Sequence, residues 1–135
     1  MKYKMRKGKV KMIKVYQIQL TDAEINIINT DADYTPRVRA YFDRQFESTF
    51  DPSNFEYYNH VANVDTNDME EAFSAMNLWG EGVAVEKLGP CSSMSVGDIL
   101  EMEDGSKYRC ASFGFKRLED YIEFTDVEKS VGFGA

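Results

Sequence analysis

Metal binding, nucleophilic catalysis and acid–base catalysis each need particular side chains to converge, and this sequence supplies few of them. His60 is the only histidine, and Cys91 and Cys110 are the only cysteines, in 135 residues. A Cys2His zinc site would have to gather all three without a short ligand pair to organise it. Two thiols are too few for a disulfide scaffold, and they read as reduced, half-buried packing residues. Ser93, Ser95 or Cys91 are nucleophiles that would need His60 and an acid such as Asp98. No strand–turn–helix elbow of the Gly-x-Ser-x-Gly type surrounds those serines. Glu70-Glu71, Glu103-Asp104 and Glu119-Asp120 are adjacent acids at expected helix ends and turns, where carboxylates are usually solvated. Gly132-Phe133-Gly134 lacks the strand and helix that make a glycine-rich loop a phosphate cradle. The expectation is no catalytic residue, no metal and no cofactor.

Charge is more informative than any catalytic pattern. Residues 1 to 14 hold seven cations and no acid; the remaining chain sets nine cations against all 23 acids, a net of −14. Lys2, Lys4, Arg6, Lys7 and Lys9 therefore form a basic arm (residues 1 to 9) on an acidic body. With Tyr3 interleaved, such an arm suits phosphate contact and base stacking. It equally suits an acidic protein surface, a second copy of the chain, or plain solubility of an edge strand. The acidic body weighs against nucleic acid, and a protein partner is the leading expectation.

The elements that would position these groups follow from periodicity and turn chemistry. At 43% hydrophobic residues the chain has enough apolar side chain for one core, and residues 1 to 135 read as one domain. No apolar run approaches a membrane span, and no signal-peptide pattern is present, so the expected location is the cytoplasm. Val10 to Leu20 reads as a strand with its even positions (Val10, Met12, Tyr16, Ile18, Leu20) inward and only Lys14 breaking the row. Thr21 and Glu24 have capping-box spacing, predicting a helix to about Asn29 with Ile25 and Ile28 inward. Thr35-Pro36 opens a second helix with Val38, Tyr41, Phe42 and Phe46 on one face, ending before Asp51-Pro52.

A second strand is expected over residues 57 to 64, with His60 at a strand edge. A third helix runs from an Asn67-Asp68-Met69-Glu70 cap to about Asn77, with Met69, Ala72, Phe73 and Met76 inward. Asp104-Gly105 predicts a two-residue hairpin turn between strands at 98 to 102 and 107 to 113. A last strand is expected at 120 to 124 and a flexible tail at 130 to 135. The fold class is α+β: a mainly antiparallel sheet with a C-terminal β-hairpin, covered by two or three amphipathic helices.

Residues 91 to 118 carry a Ser-Met-Ser-Val-Gly-Asp-Ile segment (Ser93 to Ile99), a hairpin and a Ser-Phe-Gly-Phe ending (Ser112 to Phe115). With the strand, helix and Asn77 upstream, residues of about 60 to 118 resemble the YodL-like domain family. That resemblance implies a small protein of bacteriophages or mobile elements, with phages of marine cyanobacteria as the neighbours it suggests. The family implies no catalytic residue. Physically, Gly97-Asp98 suits a tight turn into a strand with the Asp side chain capping backbone N–H groups. Phe113-Gly114-Phe115 suits two rings beside a close backbone approach. As a groove rather than a fold-forming motif, its polar groups would be Ser93, Ser95 and Asp98 and its rings Phe113 and Phe115.

The expected function is a non-enzymatic phage-type accessory protein that binds a host or phage protein. Two other readings are a small PUA-like or ASCH-like binder of RNA or nucleotides, and a structural component of the virion.

Overall fold

The structure, a computed structural model, describes residues 12–78 and 82–121. Among these residues, six strands form one antiparallel sheet: β1 (Ile13–Gln17), β2 (Asn59–Val64), β3 (Val85–Lys87), β4 (Ile99–Glu101), β5 (Lys107–Cys110) and β6 (Phe115–Arg117), in the order β3-β2-β1-β4-β5-β6. Three helices accompany it: α1 (Asp22–Asn29), α2 (Pro36–Asp43) and α3 (Met69–Leu78), with 3-10 turns at Pro52–Tyr57 and Leu118–Asp120. The fold is thus α+β, as the alternation of periods predicts. No helix among the described residues is long and apolar enough to cross a membrane.

The helix starts follow local chemistry. The Thr21 hydroxyl accepts from the Glu24 N–H at 3.2 Å, and the Glu24 carboxylate accepts from the Thr21 N–H at 2.8 Å, a complete capping box. Thr35 accepts from the Val38 N–H ahead of Pro36. At α3 the cap is Asp68, whose Oδ1 accepts from the N–H groups of Glu70 and Glu71, one residue later than the expected Asn67.

The sheet is covered on both faces, which alters the expected strand pattern. In β1 the fully buried row is Ile13, Val15 and Gln17, not the even row; Lys14 is exposed and Tyr16 half-buried. Ile13 and Val15 join Val61, Val64, Leu100 and the α3 residues Ala72, Ala75 and Met76 in one core. Ile18 belongs to a second core with Ala40 of α2, Phe50, Tyr58 and Ile99, against which Tyr16 and Leu20 also pack. Because both rows meet apolar partners, alternation could not tell the inner face from the other. Opposite the step from Val15 to Tyr16, β2 carries the extra residue Val61, a bulge that lets it and Ala62 both be buried.

Other expectations are corrected by packing. Ile25 is exposed and Ile28 only half-buried, since α1 has no buried residue. α2 stops at Asp43, where the Thr49 hydroxyl donates to the Asp43 carbonyl at 2.7 Å; Phe46 therefore leaves the helical face and is exposed. His60 is half-buried and pairs with β1 beyond the Ala62–Val64 stretch that β3 covers, as expected of a strand-edge residue; its imidazole stacks on Tyr16 and bonds to Asn63.

The β4–β5 connection is longer than a two-residue turn. Gly105 N–H donates to Met102 O at 2.9 Å, so Glu103 and Asp104 form the turn's centre and Gly105 follows at φ +89°. That is a three-residue loop closed by a left-handed glycine. Of the strand expected at 120 to 124, Asp120 instead closes the 3-10 turn Leu118–Asp120 and Tyr121 follows it outside any strand, and β6 was not foreseen. The rest of that expected strand, the basic arm and the tail lie outside the described residues.

Candidate functional site

The groove expected along residues 93 to 115 is two separate places. One is a hollow at the end of the sheet where β1 finishes and β4 begins. Gln17, Ile18, Gln19, Leu20, Ile25, Tyr41, Arg44, Ser92 and Asp98 enclose about 250 Å³ there. The other is a smaller hollow of about 130 Å³ between α3 and the β5–β6 connection, lined by Glu70, Phe73, Cys110, Ala111, Ser112, Gly114 and Phe115.

In the first hollow, Gln17 and Asp98 are each only 2% exposed. Buried polar groups must be bonded or they destabilise the fold. The Gln17 amide N–H groups donate to Ser92 O at 2.9 Å and Asp98 Oδ2 at 3.0 Å, while its Oε1 accepts from Ser92 N–H and from the Gln19 amide. Asp98 Oδ2 also accepts from the Ser95 N–H at 2.9 Å, the capping role its place after Gly97 predicts. Burial raises the Asp98 pKa from 3.8 to about 6, against the opposing pull of the Ser95 N–H, the Arg44 charge and the Gln17 amide.

Arg44, just beyond α2, faces the same hollow and acts on Asp98 as a charge at a distance. Its guanidinium lies 4.1 Å over the Tyr41 ring and donates to Tyr41 O at 2.7 Å, while its Nε is buried without an acceptor. The backbone beneath is tightly held. A side-chain Cβ at Gly97, where φ is +99°, would sit 2.5 Å from Arg44 O. Arg109, 1% exposed, donates to that carbonyl from Nε and Nη2, and pairs from Nη1 with Glu47 and Tyr121. Tyr58, its pKa raised first by burial and then by the Asp98 charge, donates its hydroxyl to Gly97 O at 2.5 Å. On the far side Arg37 joins α2 to Gln19 O, Tyr57 O and Glu24.

Among the expected site residues, Asp98 alone lines this hollow. Ser93 and Ser95 are exposed in the preceding loop. Phe115 lines the smaller hollow, while Phe113 projects beside it at 96% exposure, in the turn before β6. Space beside Gly114 is open, so the close backbone approach expected there occurs at Gly97 instead. Lys2, Lys4, Arg6, Lys7 and Lys9 lie outside the described residues.

The structure engages His60 with Asn63 and Asp98 with Gln17 and Ser95 rather than with one another. Cys91 and Cys110 are free thiols, and among the described residues no three metal-ligating side chains converge. Gln17, Tyr41, Arg44 and Arg109 were missed. The one available signal was Gln17, a polar residue continuing the Ile13-Val15 row of a strand. In comparisons with known proteins, no family model, curated protein or solved structure matches this chain significantly.

Proposed function

We propose that this chain is a non-enzymatic accessory protein that binds a partner protein through the turn between β5 and β6. Phe113 carries the reading: it is 96% exposed in a turn fixed on both sides by paired strands. Keeping a phenyl ring in water forfeits roughly 1.5 to 3 kcal/mol of burial, which a partner pocket recovers. Beside it, the hollow formed by Phe73, Cys110, Ala111 and Phe115 accepts one side chain in return. An anchor ring next to a receptive hollow is the pattern of an interface hot spot.

The resemblance of residues of about 60 to 118 to YodL-like domains supports the same region and adds the phage-type origin, with action in the host cytoplasm. The basic arm supports a partner whose approach is electrostatically steered. Phe113→Asp tests the reading: the variant is expected to keep the parent's melting temperature and to lose at least about 30-fold in affinity for the co-purifying partner. Equal retention of every partner by the variant would refute it.

A further inference from the structure

The hollow between α1, α2 and the loop before β4 holds an acid and a base that are not paired with each other. Asp98 is anchored by the Ser95 N–H and Gln17 on Oδ2, and its backbone is pinned to β5 by Gly97 N–H to Cys110 O and Cys110 N–H to Asp98 O, both 2.8 Å. Arg44 is anchored through its own carbonyl by the buried Arg109. Opposite charges held on separate, rigid elements cannot collapse onto each other, so each keeps capacity for something between them.

The lining divides by chemistry. Asp98 and Ser92 supply acceptors, and the Arg44 guanidinium, which lines the hollow and gives one Nη1 bond to Tyr41 O, supplies donors from its remaining Nη groups. Ile18, Leu20, Ile25 and the Tyr41 ring supply an apolar wall, with Ile25 exposed. The volume, about 250 Å³, falls below the roughly 300 Å³ at which drug-sized sites begin. A ligand of about ten heavy atoms fills it. A buried carboxyl whose burial raises its pKa is the kind of strained group that functional sites retain.

We infer that this hollow binds a small zwitterionic α-amino acid with an apolar side chain, its ammonium on Asp98, its carboxylate on Arg44 and its side chain against Leu20 and Ile25. Each charged group then gains a charge-assisted partner, and the net charge of the site is unchanged. A simple cation would leave Arg44 facing it, and a simple anion would face Asp98, so both are disfavoured by like charge. The assignment goes beyond the partner-binding reading and does not depend on it.

The test is titration of the full chain, by calorimetry and thermal shift, with L-leucine, leucinamide and 4-methylpentanoate. Leucine is expected to bind saturably with a Kd in about the micromolar to low-millimolar range. Leucinamide, lacking the carboxylate, and 4-methylpentanoate, lacking the amine, should each bind at least about 10-fold more weakly. Asp98→Asn should stay folded and lose the same factor for leucine, while Phe113→Asp should bind leucine as the parent does. No saturable effect of leucine or methionine on the parent at about 10 mM would overturn the proposal. So would equal binding of leucine and its two truncated analogues, or full binding by Asp98→Asn.

Discussion

Burying the Asp98 carboxyl makes its charged form unfavourable, so the stability of the fold depends on pH. The folded pKa of about 6 lies above the ordinary 3.8, so the native state holds this proton more tightly than the unfolded chain. The stability it contributes is full below pH 3.8, is lost as pH rises toward 6, and is absent above that. The whole range is on the order of 3 kcal/mol. Asp98→Asn keeps an acceptor for Ser95 and Gln17 but cannot ionise. It is therefore expected to raise stability at pH 8 by about 1 to 2 kcal/mol, less than the full range because charge-assisted bonds are weakened. Near pH 4 it should have little effect. Denaturant melts of parent and variant at the two pH values check this; a variant less stable than the parent at pH 8 would contradict the assigned burial effect. Next to it, Gly97→Ala should destabilise by roughly 3 kcal/mol or more, because a positive φ and a collision with the Arg44 carbonyl act together. Equal chemical-denaturation midpoints would show that the Arg44 backbone does not rest there.

The β4–β5 hairpin offers a cleaner case, because Gly105 has φ +89° and open space around its Cβ position. Gly105→Val should cost roughly 1 to 3 kcal/mol through backbone strain alone, and Gly105→Asn distinctly less, since Asn tolerates the left-handed region. If Val and Asn unfold alike, strain at this position is not what closes the turn. What was legible beforehand has the same local character. Thr21 and Glu24 are three residues apart and cap α1 by themselves, Thr35-Pro36 does so for α2, and Asp98 after Gly97 caps its own loop. What was hidden depends on distant partners. Gln17 meets Ser92 and Asp98 across 75 and 81 residues, and Arg109 reaches Arg44 across 65. No spacing rule connects them. The choice of inward row in β1 was hidden for a related reason: with a core on each face, only the placement of α2 and α3 separates the two rows.

Function is proposed at two places on one scaffold: partner recognition at the turn at the β5–β6 end of the sheet and ligand binding in the polar hollow where β1 meets β4. The hollow is supported from the backbone side by the bonds that Arg109 and Tyr58 make to the Arg44 and Gly97 carbonyls, and the turn by the β5–β6 pairing and the Ala111 N–H to Gly114 O bond. The uneven charge adds a third influence, since residues 1 to 14 carry +7 against −14 for the remainder. Deleting residues 1 to 9 should leave the melting temperature unchanged and weaken an acidic partner several-fold at low salt, with the difference vanishing near 1 M salt, where the Debye length is about 3 Å. A truncated protein that binds identically at every ionic strength would reduce the arm to a solubilising end. Submicromolar, salt-sensitive binding of RNA or DNA by the full chain would instead make nucleic acid the principal partner. The partner-binding reading itself is tested most directly by hydrogen–deuterium exchange of the full chain, alone and in complex with its co-purified partner. New protection is expected in residues 110 to 117 and at the start of α3 around Glu70 and Phe73, with Phe113→Asp abolishing it. Protection confined to other segments, with residues 110 to 117 exchanging as in the free protein, would contradict the assignment of the β5–β6 turn as the contact.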